Sequence, residues 1–314
     1  MGNERIVIAL GGNAIQSGSA TAEAQQQALY HTAKQLIEII KQGYQVAITH
    51  GNGPQVGNIL LQQIQSHSEQ TPAMPLDTCG AMSQGMIGYW LENAINDQLH
   101  EESLDKQVAS IITRVEVNPD DEAFTNPTKP IGPFYSEKEA KEQMKKNGVT
   151  FKEDAGRGWR RVVPSPKPVK ILEHEVIKSL VDNGMVVVST GGGGIPVYRQ
   201  DNKILGVEAV IDKDFASEKL AELIQADKLV ILTEVEHVYV NYQAANQKAL
   251  EQVTTEELRN YAEEGQFSAG SMLPKVEAAI AFVESKPDSK CIITSLDKAV
   301  EAVNENAGTV IKNH

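Results

Sequence analysis

Three glycine-rich turns, each placed directly after an apolar run, are the residues best suited to chemistry in this 314-residue chain. Gly11-Gly12-Asn13 follows Arg5 to Leu10, Gly51-Asn52-Gly53-Pro54 follows Gln45 to Thr49, and Gly191 to Gly194 follows Met185 to Ser189. With no Cβ in the way, backbone N–H groups at such turns approach an anion closely, and ligands of open α/β sheets sit at the carboxyl ends of strands. Pro54 suits the first turn of a helix, whose N-terminus adds its dipole to the same anion site. Gly11, Gly12, Asn13, Gly51, Asn52, Gly53, Gly192 and Gly193 are therefore candidate phosphate or substrate contacts.

Other glycine motifs fit poorly. Gly51, Gly53 and Gly57 miss the G-x-G-x-x-G spacing by one residue, and no G-x-x-x-x-G-K-[ST] occurs, which excludes dinucleotide and P-loop sites. Ser295-Leu296-Asp297-Lys298 matches S-x-x-K, but the companion motifs of serine acylases are missing.

The elements that must position these turns alternate along the chain. Val/Ile/Leu-rich runs at Arg5 to Leu10, Gln45 to Thr49, Gln107 to Thr113, Met185 to Ser189, Lys228 to Leu232 and Lys290 to Thr294 read as strands covered on both faces. Helical stretches span Ala22 to Gln42, Asp77 to Glu101, Glu173 to Asn183, Asp214 to Gln225 and Lys275 to Glu284. Alternation of this kind predicts an α/β fold with a mostly parallel sheet. Residues Asn118 to Pro168 break the pattern with seven of the 13 prolines and no strong strand. A segment that long predicts a small inserted subdomain standing over a site as a lid.

Composition narrows the partners. Lysine plus arginine is 29 against 42 aspartate plus glutamate, a net charge of -13, so no global positive field holds nucleic acid or an anionic membrane. Cys79 and Cys291 stand far apart with no His at ligand spacing, which predicts two reduced thiols in a cytoplasmic protein and no zinc site. The apolar run Ile6 to Leu10 is too short for a signal core or a membrane span.

Seven segments together carry a resemblance. IVIALGGNAI (Ile6 to Ile15), HGNGPQVG (His50 to Gly57), NPTKPIGPF (Asn126 to Phe134) and EDAGRGW (Glu153 to Trp159) are four of them. GGGGIPV (Gly191 to Val197), GVEAVIDKDFA (Gly206 to Ala216) and GSMLPKVEAAI (Gly270 to Ile280) complete the set. In order and spacing, over nearly the whole chain, they resemble the carbamate kinases of the amino acid kinase superfamily. The resemblance implies a three-layer α/β/α sandwich, with residues 1–211 as a phosphoryl-acceptor lobe that carries the lid at about 118–168. Residues 212–314 would form the nucleotide lobe. It further implies reversible phosphoryl transfer between ATP and carbamate, with Mg2+ held by nucleotide phosphates and water rather than by protein ligands, and a homodimer.

The chemistry can be checked against the residues. A carbamate oxygen is already anionic, so the nucleophile needs no general base, and the lack of a His or Ser dyad is what this reaction expects. Charge must instead be neutralised around the transferring group, which calls for lysines and a metal. The resemblance assigns this to Lys129 in the insertion, Lys213 and Lys275, with Asp214 orienting those lysines or the magnesium shell. Lys213 and Lys275 fall at predicted helix N-termini, where a cation is disfavoured until an anion arrives. Many superfamily members place a lysine before the first glycine pair. Here Ala9 and Leu10 stand there, and Lys129 is the replacement cation. Arg157, Arg160 and Arg161 around Trp159 are expected to close over anions or to pack on the indole.

On the nucleotide side, Thr233-Glu234-Val235-Glu236-His237-Val238-Tyr239 replaces the T-D-V-D-G-V-Y frequent in the superfamily, and Tyr239 and Met272 are the candidates for apolar contact with the base. Met86, Ile87, Tyr89, Trp90 and Leu91 exceed one face of their helix and serve either a dimer interface or the core. The leading expectation is ATP synthesis from carbamoyl phosphate and ADP in arginine or agmatine catabolism. The alternatives are another acyl-phosphate kinase and a non-catalytic nucleotide-binding relative.

Overall fold

Ile6, Ile8 and Leu10 alternate with Val7 and Ala9 along strand β1 (Arg5–Leu10), and all five side chains are fully buried. A strand apolar on both faces must be covered on both, which dictates a sheet between two helical layers. The computed structural model describes residues 4–16, 18–154 and 156–313, so Ala155 of the Glu153 to Trp159 motif lies outside it.

After β1 come α1 (Ala22–Lys41), β2 (Gln45–His50), α2 (Gly53–Gln65), α3 (Leu76–Glu101), β3 (Val108–Ser110) and β4 (Arg114–Val117). The insertion supplies β5 (Lys129–Tyr135), α4 (Glu137–Asn147), β6 (Thr150–Glu153) and β7 (Trp159–Val163). Then follow β8 (Pro168–Ile171), α5 (His174–Asp182), β9 (Val186–Val188), β10 (Ile195–Gln200), β11 (Lys203–Gly206), α6 (Lys213–Leu223) and β12 (Lys228–Thr233). The chain continues through β13 (Val238–Val240), β14 (Lys248–Leu250), β15 (Gln252–Thr254), α7 (Thr255–Glu263) and α8 (Met272–Ser285). It finishes with β16 (Lys290–Ser295), α9 (Ala299–Ala302) and β17 (Thr309–Lys312).

The main sheet has the order β15-β17-β16-β12-β1-β2-β9-β3 and is parallel except for the β16–β17 pair. Its registers set Leu10 opposite His50, Ile48 opposite Val188 and Thr233 opposite Ser295. The turns after β1, β2, β9, β12 and β16 therefore open along one edge. One face of the sheet packs Ile6, Ile8 and Leu10 against α1, α3 and α9. The other packs Val7 and Ala9 against α5, α6, α7 and α8. This is the three-layer α/β/α sandwich the resemblance implied.

Two expectations need correction. The insertion is not strandless: β5, β7 and β6 form a three-stranded antiparallel sheet backed by α4, which opens with a Ser136–Glu139 capping box. Pro130, Gly132 and Pro133 mask β5 in the sequence, but it is an edge strand with a register shift, where missing donors cost little. Its flanks β4 and β8 pair with each other in a separate four-stranded sheet, β11-β10-β4-β8, so the chain leaves and returns at neighbouring strands. The strand expected over 107–113 is cut to Val108–Ser110, because the Thr113 backbone donates to Gln84 Oε1 and accepts from Gln84 Nε2 instead of pairing in the sheet.

On α3 the five apolar residues divide. Ile87 and Leu91 are fully buried, Met86 and Trp90 pack against the same core, and only Tyr89 is exposed. No helix among the described residues is long and apolar enough to cross a membrane. Cys79 and Cys291 are both free and buried, and burial pushes both thiols up. Native protein should therefore resist a thiol reagent at pH 8, and both cysteines should label in denaturant. Prompt labelling of the native protein would contradict this packing.

Candidate active site

The sequence Asp212-Lys213-Asp214 opens α6 and fixes three charges at once. Asp212 is the N-cap, and its Oδ1 accepts the Asp214 N–H at 2.9 Å, satisfying a donor that the helix cannot. Its other oxygen, Oδ2, lies 2.5 Å from Lys129 Nζ, which arrives on the first residue of β5. Asp214, only 2% exposed, accepts from Lys213 Nζ at Oδ1 (2.5 Å) and from Lys275 Nζ at Oδ2 (2.9 Å). Lys275 stands in the first turn of α8, which packs beside α6 on the same face of the sheet. Thr49 Oγ1 and Ser217 Oγ meet at 2.6 Å, and Ser217 donates to the Lys213 carbonyl, tying the start of α6 to the end of β2.

One carboxylate shared by two ammonium groups leaves one positive charge uncompensated in a protein whose net charge is -13. Burial alone would raise the Asp214 carboxyl, but Lys213 and Lys275 outweigh it and hold the group at about 2. Burial lowers the Lys213 ammonium. Asp214 opposes that shift and the neighbouring Lys275 adds to it. The arrangement is a desolvated cation short of a partner, a state that an arriving phosphate relieves.

The glycine turns converge on this cluster. Gly51 packs on the Lys213 side chain, where a Cβ would come 3.2 Å from Cδ. Gly192, at φ +64°, lies against the Asn52 amide, and a Cβ at Gly191 would meet His50 Nε2 at 2.5 Å. Burial lowers His50 to about 4, so it packs as a neutral ring with Nδ1 2.7 Å from the Gly51 carbonyl. Gly193 lies against the Ile211 carbonyl, while Gly12 and Gly53 face open space. The N–H groups of Gly12, Asn13, Gly191 and Gly192 find no backbone acceptor among the described residues, so they remain available to an anion.

A cavity of about 1040 Å³ opens beside the two lysines. Of the sequence candidates it is lined by Gly11, Gly12, Asn13, Lys213, Tyr239, Met272 and Lys275. Gly51, Asn52, Gly53, Gly192, Gly193, Lys129 and Asp214 are not in its lining, so the candidates fall into two groups that meet at Lys213. Asn13 Nδ2 donates to Glu234 Oε1 at 3.0 Å, joining the turns after β1 and β12. Tyr239 and Tyr242 meet at 5.8 Å with their rings tilted by 39° on the cavity wall, and His237 is edge-on to Tyr239 at 6.2 Å.

Sequence reasoning missed Asp212, although an Asp directly before a helix start is an N-cap signal. It also missed the α1 wall, Ala24, Ala28 and His31, a small and polar stripe at helical spacing on an otherwise amphipathic helix. Ser295 to Asp297, part of the chance S-x-x-K match, line the cavity too. The arginines of the insertion do not gather on Trp159. Arg157 and Arg160 lie over the Phe134 ring at 5.3 Å, and Arg161 reaches Glu208 at 3.8 Å.

Gly57 of α2 touches the backbone of Gly132 in β5, and a Cβ there would lie 2.5 Å from Gly132 N and Cα. Alanine would favour the helix by roughly 1 kcal/mol, but backbone cannot yield as a side chain can, so β5 and Lys129 must move. Misplacing a reacting group by about 1 Å costs on the order of 10² in rate. Gly57→Ala should therefore lower turnover about that much while the protein stays folded, and an unchanged rate would show that Lys129 placement does not depend on this contact.

Comparison with known proteins gives the family. Residues 4–295 match the amino acid kinase family. The chain is similar to the carbamate kinase of Latilactobacillus sakei, at 59% identity over 99% of each chain. It is equally similar to carbamate kinase 1 of Enterococcus faecium, at 59% over 98% of this chain and 99% of that one. Among solved structures it resembles the Giardia lamblia carbamate kinase bound to AMP-PNP, with TM-score 0.92 and 45% identity over 100% of this chain and 99% of that one. The chain belongs to the amino acid kinase family and, within it, to the carbamate kinases.

Proposed function

We propose that the protein catalyses reversible phosphoryl transfer between ATP and carbamate, and that in the cell it makes ATP from carbamoyl phosphate and ADP during arginine or agmatine catabolism. The observation that carries this reading is the Asp214 carboxylate bridging Lys213 and Lys275 at the edge of a nucleotide-sized cavity. Kinship supplies the acceptor, and the burial of Asn52, Gly191, Gly192 and Gly193 supports one as small as carbamate.

In the direction of ATP synthesis, an ADP β-phosphate oxygen attacks the phosphorus of carbamoyl phosphate. The bond from phosphorus to the carbamate oxygen breaks, and carbamate leaves with that electron pair. No proton moves, so no residue acts as general base. Lys213 and Lys275 contact the transferring and bridging phosphate oxygens, and Lys129 leans in from the inserted sheet. Asp214 holds the first two ammonium groups apart and aimed. Gly11, Gly12 and Asn13 present N–H groups to the nucleotide phosphates. Gly51, Asn52, Gly53, Gly192 and Gly193 line the acceptor end, and Tyr239 and Met272 face the base.

Magnesium, when bound, neutralises charge between the phosphates. The residues suit a metal carried by the nucleotide, because Asp214 has both oxygens engaged by lysines and Asp212 has one on Lys129 and one on the α6 N-terminus. The same reading includes an acceptor lobe over residues 1–211, a nucleotide lobe over 212–314 and a cytoplasmic setting. It also includes a homodimer, for which the exposed Met82 and Tyr89 of α3 are available.

A panel of acyl phosphates tests the acceptor. With ADP and magnesium, ATP should form fastest from carbamoyl phosphate, ahead of acetyl phosphate and N-acetylglutamyl phosphate. A preference for the largest of the three would overturn the assignment.

A further inference from the structure

The turn from Thr190 to Gly194 has a backbone that holds itself poorly. Thr190, Gly192, Gly193 and Gly194 have φ of +55°, +64°, +88° and +87°. Two internal hydrogen bonds close it, Gly193 N–H to the Thr190 carbonyl at 3.1 Å and Gly194 N–H to the Gly191 carbonyl at 3.0 Å. The hydroxyls of Ser189 and Thr190 are buried without a partner among the described residues, so the turn's own side chains do not fasten it. A non-glycine residue at positive φ persists only where its surroundings over-determine it.

Those surroundings are Gln84 of α3 and Thr113, both fully or nearly fully buried. Thr113 Oγ1 accepts the Thr190 N–H at 2.9 Å, and the Thr113 carbonyl accepts the Ile195 N–H at 2.9 Å. One residue thus grips both ends of the turn. Gln84 in turn grips Thr113: its Oε1 accepts the Thr113 N–H at 2.9 Å, and its Nε2 donates to the Thr113 carbonyl at 3.1 Å. The same Nε2 donates to the Gly191 carbonyl at 2.9 Å. Only a glutamine-like amide satisfies this set, since it must accept once and donate twice.

We propose that Gln84, acting through Thr113, is a positioning residue that aims the free N–H groups of Gly191 and Gly192 at the acceptor phosphate. The inference rests on reading this turn as the acceptor end of the site. Neither side chain lines the nucleotide cavity, so their loss should act on one substrate and not the other.

Two variants of the full-length protein test this. Gln84→Met keeps the volume and removes all three bonds, and Thr113→Val is isosteric and removes the acceptor of the Thr190 N–H. Both should raise KM for carbamoyl phosphate about tenfold or more, with KM for ADP within about twofold of wild type. Amide hydrogen exchange across 189–195 should be faster in both, which reads the turn without any activity. If Gln84→Met does not fold, Thr113→Val carries the same expectation alone. An unchanged KM for carbamoyl phosphate, or an equal rise for both substrates, overturns the inference. Wild-type protein that makes no ATP, with faster exchange in the variants, would sink the functional reading while the turn's dependence on Gln84 stood.

Discussion

Lys213→Ala should lower the rate of ATP formation by on the order of 10² to 10³ and leave the unfolding temperature unchanged or slightly higher. The loss follows from position. Lys213 is a desolvated cation beside the Gly51 turn, and in a water-poor site such a charge acts on the transition state with little screening. The unchanged stability follows from charge. Removing Lys213 leaves Asp214 paired one to one with Lys275, and relief of the excess positive charge offsets the loss of the donor to Asp214 Oδ1. The α6 and α8 scaffold keeps its apolar anchors, Leu220, Ile224, Val276 and Phe282, each fully buried and each contributing roughly 1.5–3 kcal/mol.

The same cation gives a pH signature. Burial lowers the Lys213 ammonium below its ordinary 10.5, so the charged form is lost at a lower pH than for an exposed lysine. In wild type, kcat/KM, which reports the free enzyme, should fall on the alkaline side with its midpoint below 10.5. A rate that stays flat past that value would argue that Lys213 is solvated.

Asp214→Asn should behave in the opposite way. It leaves two buried ammonium groups facing an uncharged amide, and removing one partner of a buried ionic cluster costs about 3–5 kcal/mol. Activity should fall as well, because the lysines lose the group that holds their spacing. The sign of the pH dependence identifies the cause. In the variant Lys213, already lowered by burial and no longer opposed by the Asp214 charge, releases its proton more readily when folded than when unfolded. Over the alkaline range the unfolded chain therefore binds more protons, and stability rises with pH, more steeply than in wild type. In wild type, the contribution of Asp214 is complete above its ordinary 3.8 and is lost only as pH falls through about 2. Denaturant unfolding of the variant and wild type at pH 7 and pH 9 measures the loss of stability and its alkaline slope. A variant as stable as wild type at pH 7 would contradict the shared-carboxylate geometry.

Much of this molecule is legible in local features of its amino-acid sequence. Fully apolar runs such as Ile6 to Leu10 and Leu229 to Leu232 announce buried parallel strands, and glycines directly after the first of them announce the ligand edge. Lys213, Asp214 and Lys275 stand out only through the whole-chain resemblance, because a lysine's own neighbours say little about whether it is solvated. What escapes a local reading is carried by long-range pairing. β5 hides behind Pro130, Gly132 and Pro133 because its partner β7 lies some thirty residues on, and strand signals weaken where turn residues are tolerated at a sheet edge. Gln84 reads as one more polar residue on a long helix. Its role depends on Thr113 and Gly191, 29 and 107 residues away, and no periodicity reports that.

The most direct test is ATP formation from carbamoyl phosphate, ADP and magnesium, with wild type and Lys213→Ala run side by side and their unfolding temperatures recorded. The account predicts steady turnover by wild type and a variant on the order of 10² to 10³ slower with its fold intact. No ATP from wild type, or equal rates from the two proteins, would contradict it.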